Sequence, residues 1–148
     1  MTQLYEAALQ KVTSAAAGPI VTLVATSGAR PDIREIGVFV SSAPASGPTI
    51  GYGRPAAVGS GTPTGALGQA TDAADPAAVC TLASSFATSQ PTAPSVAMRR
   101  LSLPNSIGAG VIWTFDRNAF NVPQSGNVVI WQFSALAVTY DVYVQWEE

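Results

Sequence analysis

The chain contains no histidine, a single cysteine and a single lysine. Without histidine there is no Ser-His or Cys-His nucleophile pair and no imidazole metal ligand. Cys80 alone cannot close an internal disulfide, and one thiol without imidazoles does not make a structural zinc site within one chain. It reads as a small buried side chain rather than a reactive thiol. Lys11 is the only amine that a Ser-Lys dyad or a Schiff base could use.

Charge is scarce as well. Asp, Glu, Lys and Arg make up 11% of the residues, against about 25% in ordinary globular chains. The net charge of −2 provides no basic footprint for nucleic acid. No stretch approaches the roughly 18 apolar residues of a membrane-spanning helix. The first residues lack the basic start and apolar run of a secretion signal, so synthesis and assembly in a cytoplasm are expected. These absences argue against nucleic acid, membrane and cofactor partners. Ala, Gly, Ser, Thr and Pro replace the missing charges. Either the surface meets neighbouring subunits or the source genome is biased toward Ala and Gly; composition leaves both open.

What is present is β-structure. The 148 residues are 47% apolar and fit one domain. Short β-branched and aromatic runs recur at residues 20–25, 33–41, 49–54, 96–103, 111–115, 120–122, 128–133 and 138–146, with Gly, Pro, Asn and Ser between them. Segment 81–86 fits a strand or one helical turn. Residues 1–18 favour helix by propensity but have no helical period, and read as an extended arm or an edge strand. The main domain then covers 19–148. The last run alternates strictly, with Val138, Tyr140, Val142, Val144 and Trp146 on one face. The same reading groups Val111, Trp113 and Phe115, and groups Val129, Trp131 and Phe133. All three tryptophans are therefore expected in the core. Many short strands without a convincing helix predict an all-β fold, an antiparallel β-sandwich or jelly roll. Residues 55–78, rich in Gly, Ala, Thr and Pro, read as one long loop, either mobile or ordered by a neighbour. Residues 87–95 form a second stretch of this kind.

Tests for chemistry fail one after another. Asp72 and Asp75 fall in the long loop, and Glu147 and Glu148 at the end of the last run; neither pair has the fixed spacing of glycosidase acids or a recognisable calcium loop. Gly51-Tyr52-Gly53-Arg54-Pro55-Ala56 imitates a dinucleotide fingerprint, but no helix can begin at the glycine-rich sequence that follows. Residues 59–65 lack the Lys-Ser/Thr ending of a phosphate loop. No catalytic residue, cofactor site or metal site is expected, and the chain does not read as an enzyme.

The arginines are the candidate interface residues: Arg34, Arg54, Arg99 and Arg100. Arg99 and Arg100 are adjacent, so on a strand they point to opposite faces and cannot form one anion clamp. They and Arg34 are read as locking acids such as Glu35, Asp116 or Asp141, or an acid on a neighbouring subunit. The alternative is solvated arginines at strand edges.

The blocks "IREIGVFV" at 33–40, "IGYGRPAAVG" at 50–59, "MRRLSLPNSIGAGVIWTF" at 98–115, "GNVVIWQF" at 126–133 and "DVYVQWEE" at 141–148 resemble, in order and spacing, small structural proteins of tailed bacteriophages, namely capsid decoration (cement) proteins. The resemblance covers most of the chain from residue 33 onward. It implies a β-sandwich or jelly-roll unit bound to the major capsid protein on the outside of the head, often as a trimer, stabilising the expanded shell. It transfers no functional residue, because the family has no catalytic motif to match. A different reading is a carbohydrate- or receptor-binding jelly-roll module of a phage tail or head fibre. That module would need exposed aromatic platforms, for which Tyr5, Tyr52 and Tyr143 are the candidates.

Overall fold

The computed structural model describes residues 2–26 and 28–148. The β-branched runs become strands: β1 (Leu4–Val12), β2 (Gly18–Val24), β3 (Asp32–Val40), β4 (Thr49–Gly53), β5 (Pro63–Leu67), β6 (Gln69–Ala70), β7 (Thr81–Phe86), β8 (Arg99–Ser102), β9 (Gly110–Thr114), β10 (Asn127–Gln132) and β11 (Thr139–Glu147). No helix occurs among the described residues. Two antiparallel sheets result, ordered β6-β1-β11-β3-β9 and β5-β7-β2-β10-β4-β8.

The pairings explain the topology. β1 pairs with β11, β2 with β10, β3 with β9 and β4 with β8. One long double ribbon is thus rolled up, with successive strand pairs alternating between sheets. That is the jelly roll, which buries one face of each sheet against the other. β5, β6 and β7 are an insertion between its fourth and fifth strands. They lengthen both sheets on the side away from β8 and β9.

Where alternation was strict, the faces are as expected. Val138, Tyr140, Val142, Val144 and Trp146 are all buried in the common core, as is Trp113 of β9. β10 corrects the expectation. Its core residues are Val128 and Ile130, with Gln132 fully buried beside them. Trp131 and Phe133 lie half-buried on the outer face. β10 is apolar on both sides because both sides are covered, and such a strand carries no readable period. Residues 120–122 form no strand; Phe120 and Val122 are core side chains flanking an isolated bridge from Asn121 to Asp32.

The N-terminal segment is no loose arm. β1 pairs with β11 through nine residues and puts Tyr5 and Ala7 into the core. β6 covers only Tyr5 and Glu6, so most of β1 remains an edge. Lys11 reaches across the sandwich, its Nζ donating to the Ser84 carbonyl at 2.8 Å.

The expected loop 55–78 is also corrected, because β5 and β6 lie within it. The chain leaves one sheet at Leu67 and enters the other at Gln69. Gly68 makes that switch against the Trp146 ring, in space that no side chain could share. The flanking parts, 55–62 and 87–94, pair with each other through bridges Pro55–Pro94 and Ser60–Ser89. This ribbon lies on the outer face of the six-stranded sheet. A Cβ at Gly53 would come within 2.8 Å of Pro94, and one at Gly59 within 2.6 Å of the Phe86 ring. Beneath it sit Ala83, Phe86 and Val129, buried but outside the main core cluster.

Candidate functional site

Of the four candidate arginines, only Arg34 meets acids among the described residues. It lies 3.6 Å from Asp32 and 3.8 Å from Glu147, and Arg117 donates to the same Glu147 at 3.0 Å. The acids expected to hold the arginines do not. Glu35 accepts from the Tyr143 hydroxyl, and Asp141 accepts from Gln10. The Asp116 carbonyl closes a turn with Ala119. Arg34 is the extra residue of a bulge in the β3–β11 register, between Ile33 opposite Trp146 and Glu35 opposite Gln145.

Arg54, Arg99 and Arg100 gather along β4 and β8, and no acid lies within ion-pair distance of any of them among the described residues. Aromatic rings take the place of acids. Arg54 sits 5.6 Å from the centre of the Phe120 ring and donates to the Asn121 carbonyl at 3.0 Å. Arg99 lies 5.7 Å from the Phe115 ring and Arg100 4.3 Å from Phe133. Strand alternation sends the last two to opposite faces, as the sequence required. Gly51, opposite Arg100 in β4, carries no side chain. That gap lets the guanidinium cross to Phe133.

Two of these rings, Phe115 and Phe120, belong to an aromatic cluster on the β8–β9 side of the sandwich. Tyr52 packs edge-on against Trp113 at 5.0 Å and Phe115 at 5.5 Å, and Phe115 meets Phe120 at 5.1 Å. Each cation over a ring is worth about 0.5–1 kcal/mol at an exposed site, and the guanidinium edges keep free donors. Beside them Val96 is 77% and Met98 47% exposed. The sequence hid these two inside an expected strand, 96–103, whose first residues remain outside β8.

The outer face of the five-stranded sheet is its counterpart. Phe39 and Tyr143 stack there at 6.5 Å with planes 16° apart. The Tyr143 ring lies across Gly37, where any Cβ would collide with it. A groove of about 310 Å³ runs past Ala8, Leu9, Phe39, Asp141 and Tyr143. Burial, then the hydrogen bond to Glu35 and the charges of Glu35 and Glu6, push the Tyr143 phenol up to about 12. It therefore stays a neutral donor. Of the three candidate platform tyrosines, Tyr5 and Tyr52 are buried and only Tyr143 reaches the surface.

A second concavity, about 560 Å³, opens at one end of the sandwich between Tyr5, Asp32, Arg117, Asn118, Glu147 and Glu148. Its charges are only partly spent on each other: Asp32 Oδ1, Arg34 Nη1 and Glu148 Oε2 are buried without a hydrogen-bond partner among the described residues. Asp32 accepts from the Asn118 N–H at 2.6 Å and holds that residue at φ 62°. Glu147 lies between two arginines, and Glu148 accepts from the Val79 N–H. Cys80 is buried close by, its thiol pushed up by burial and by Glu148, so it is no thiolate nucleophile. The Asp72 carboxylate accepts from the Ala74 N–H two residues on, a local turn. No group of three metal-ligating side chains converges among the described residues. Gly51 and Gly53 are strand residues packed under neighbours, not a phosphate loop.

Strand order defines the class: a jelly-roll β-sandwich with an inserted β-unit and an arginine-lined edge. Comparison with protein-family models, with curated proteins and with solved structures finds no match.

Proposed function

We propose that the chain is a structural protein of a virus particle: a decoration protein that binds the major capsid protein on the outside of a tailed-phage head, as a trimer, and stabilises it. Fold alone does not choose a function. The reading draws on the order of the sequence blocks and on the jelly-roll topology. The observation that carries it is the β8 edge, where Arg54, Arg99 and Arg100 have no acid partner among the described residues and stand beside exposed Val96 and Met98. Arginine and exposed apolar side chains gain most when an interface covers them. Contacts repeated over many copies add up to firm attachment.

The test mixes the purified protein with expanded heads that lack it. Co-sedimentation to a fixed, saturating number of copies is expected. Arg100→Glu should lower occupancy far more than it lowers the melting temperature, which falls only by what the lost contact with Phe133 supplies. Absence of shell affinity, or equal losses of occupancy and stability, would overturn this role.

A second reading has its own observation, the Tyr143–Phe39 stack flanked by Asp141, Gln10 and Glu35. An apolar platform rimmed by hydrogen-bonding groups suits a sugar ring. Glycan-array binding that disappears in Tyr143→Ala, without shell affinity, would favour it.

A further inference from the structure

The molecule carries two exposed surfaces that complement each other, and each is incomplete alone. On the outer face of the five-stranded sheet, register aligns Ala8, Tyr143, Gly37 and Ile112 in one row and Gln10, Asp141, Phe39 and Gly110 in the next. Glu6, Gln145, Glu35 and Thr114 make the third. The centre is apolar, with Ile112 52% exposed. Glu6, Glu35 and Asp141 rim it, and none of the three forms an ion pair among the described residues. The β8 edge is the inverse: apolar Val96 and Met98 beside three unpaired arginines.

We infer that the β8 edge of one copy docks on the outer face of the five-stranded sheet of a second copy. Val96 and Met98 then cover the Phe39–Tyr143–Ile112 patch, and the arginines meet Glu6, Glu35 and Asp141. Charge complementarity chooses the occupant. Three acids without a base favour a cationic partner over a neutral sugar, and the chain itself supplies such a partner with matching apolar content. The contact joins two different surfaces, so it is head-to-tail. Edge and face lie on different sides of the sandwich, so successive copies are related by a rotation, which gives a ring where it closes. The inference rests on the reading of the β8 edge as an assembly surface and narrows it: the edge meets a neighbouring copy, and reversing Arg100 lowers shell occupancy by weakening the association of copies on which multivalent attachment depends.

The experiment is sedimentation velocity of the full chain in the absence of capsids, at low and high salt. A closed oligomer at low salt that weakens as salt rises is expected. Two variants reverse one surface each: Arg99→Glu with Arg100→Glu, and Glu6→Lys with Asp141→Lys. Each should weaken association by roughly tenfold or more. A chain carrying all four substitutions should regain it, which no loss of folding could imitate; circular dichroism checks the fold of each variant. Where a reversed face disturbs folding, neutral Asp141→Asn should still weaken association in the same direction. A protein monomeric at every salt concentration, or a fourfold variant that fails to reassociate, overturns the inference. So does a monomer whose Tyr143 face binds glycans. Shell binding without self-association would sink this inference and the trimer, and leave shell decoration standing. Self-association without shell affinity would do the reverse.

Discussion

Gln132 shows how a single residue misdirects a reading of faces and then specifies the fold. As a polar side chain at the end of an apolar run, it assigns its own face of β10 to solvent. In the folded chain it is completely buried, with each end of its amide engaged. The Oε1 accepts from Thr13 at 3.0 Å and from the Tyr140 hydroxyl at 2.8 Å, while Nε2 donates to the carbonyls of Ser134 and Leu136. A buried polar group is tolerated when every partner is met, and a sequence lists partners without pairing them. Gln132→Leu would leave the Tyr140 and Thr13 hydroxyls and two carbonyls competing for fewer partners. At about 1–3 kcal/mol for a stranded buried group, a loss of about 3 kcal/mol is expected in urea unfolding, with the slope unchanged. A loss below about 0.5 kcal/mol, the scale of an ordinary surface change, would show that the network does not hold the sheets together.

Tyr143 supports a pH prediction at the same scale. Its folded pKa of about 12 lies above the unfolded value of about 10. A raised acid favours the protonated, folded state, so its contribution is fully present below pH about 10. It is lost as pH climbs through the folded value of about 12. Thermal denaturation should therefore change little across neutral pH and fall in that alkaline window. Tyr143→Phe should make the fall shallower without removing it, because Tyr5, Tyr52 and Tyr140 are also shifted upward by burial. An unchanged alkaline fall in the variant would contradict the Tyr143–Glu35 contact.

Among the elements, legibility followed exposure. β9 and β11 have one covered face and one open face, so their alternation is plain in the residues. β5 and β6 do not, since they are short outer strands of Thr, Gly, Ala and Gln, without a large apolar side to bury beyond Leu67. They hold their places through backbone pairing to β7 and β1 and through Gly68. Composition alone therefore describes a loop where the chain crosses between sheets. Gly68 is the test of that crossing. A methyl group there would overlap the Trp146 ring and come within 2.8 Å of Ala78. Gly68→Ala should cost about 1–3 kcal/mol, as overpacking does, and should alter the near-ultraviolet signal of Trp146. If the variant is as stable as the parent, the crossing is loosely packed and the loop reading returns.

For the whole molecule, the rolled ribbon decides what can share a surface. The arginines were visible in the sequence, and Arg99 and Arg100 were correctly assigned to opposite faces. That three arginines collect at one edge while three acids collect on one face depends on which strand pairs with which. β3 brings Glu35 and β1 brings Glu6 to either side of Gln145 of β11, across the Tyr143 row from Asp141. No local pattern encodes those partnerships, because each joins remote parts of the chain. The same remoteness governs folding. Leu4 pairs with Glu147, Val24 with Asn127 and Tyr52 with Arg99, so no main sheet can close until distant segments meet. Loop-closure entropy is then lost before most contacts form, and folding in the millisecond-to-second range is expected. Trp113 and Trp146, both buried in the core, make fluorescence a direct probe in stopped-flow refolding. Gly68→Ala should speed unfolding more than it slows refolding, since the inserted unit joins sheets that the rolled ribbon has already formed. A full-amplitude microsecond phase, or a variant that acts only on refolding, would mean that β5 to β7 form the nucleus and the ribbon closes around them.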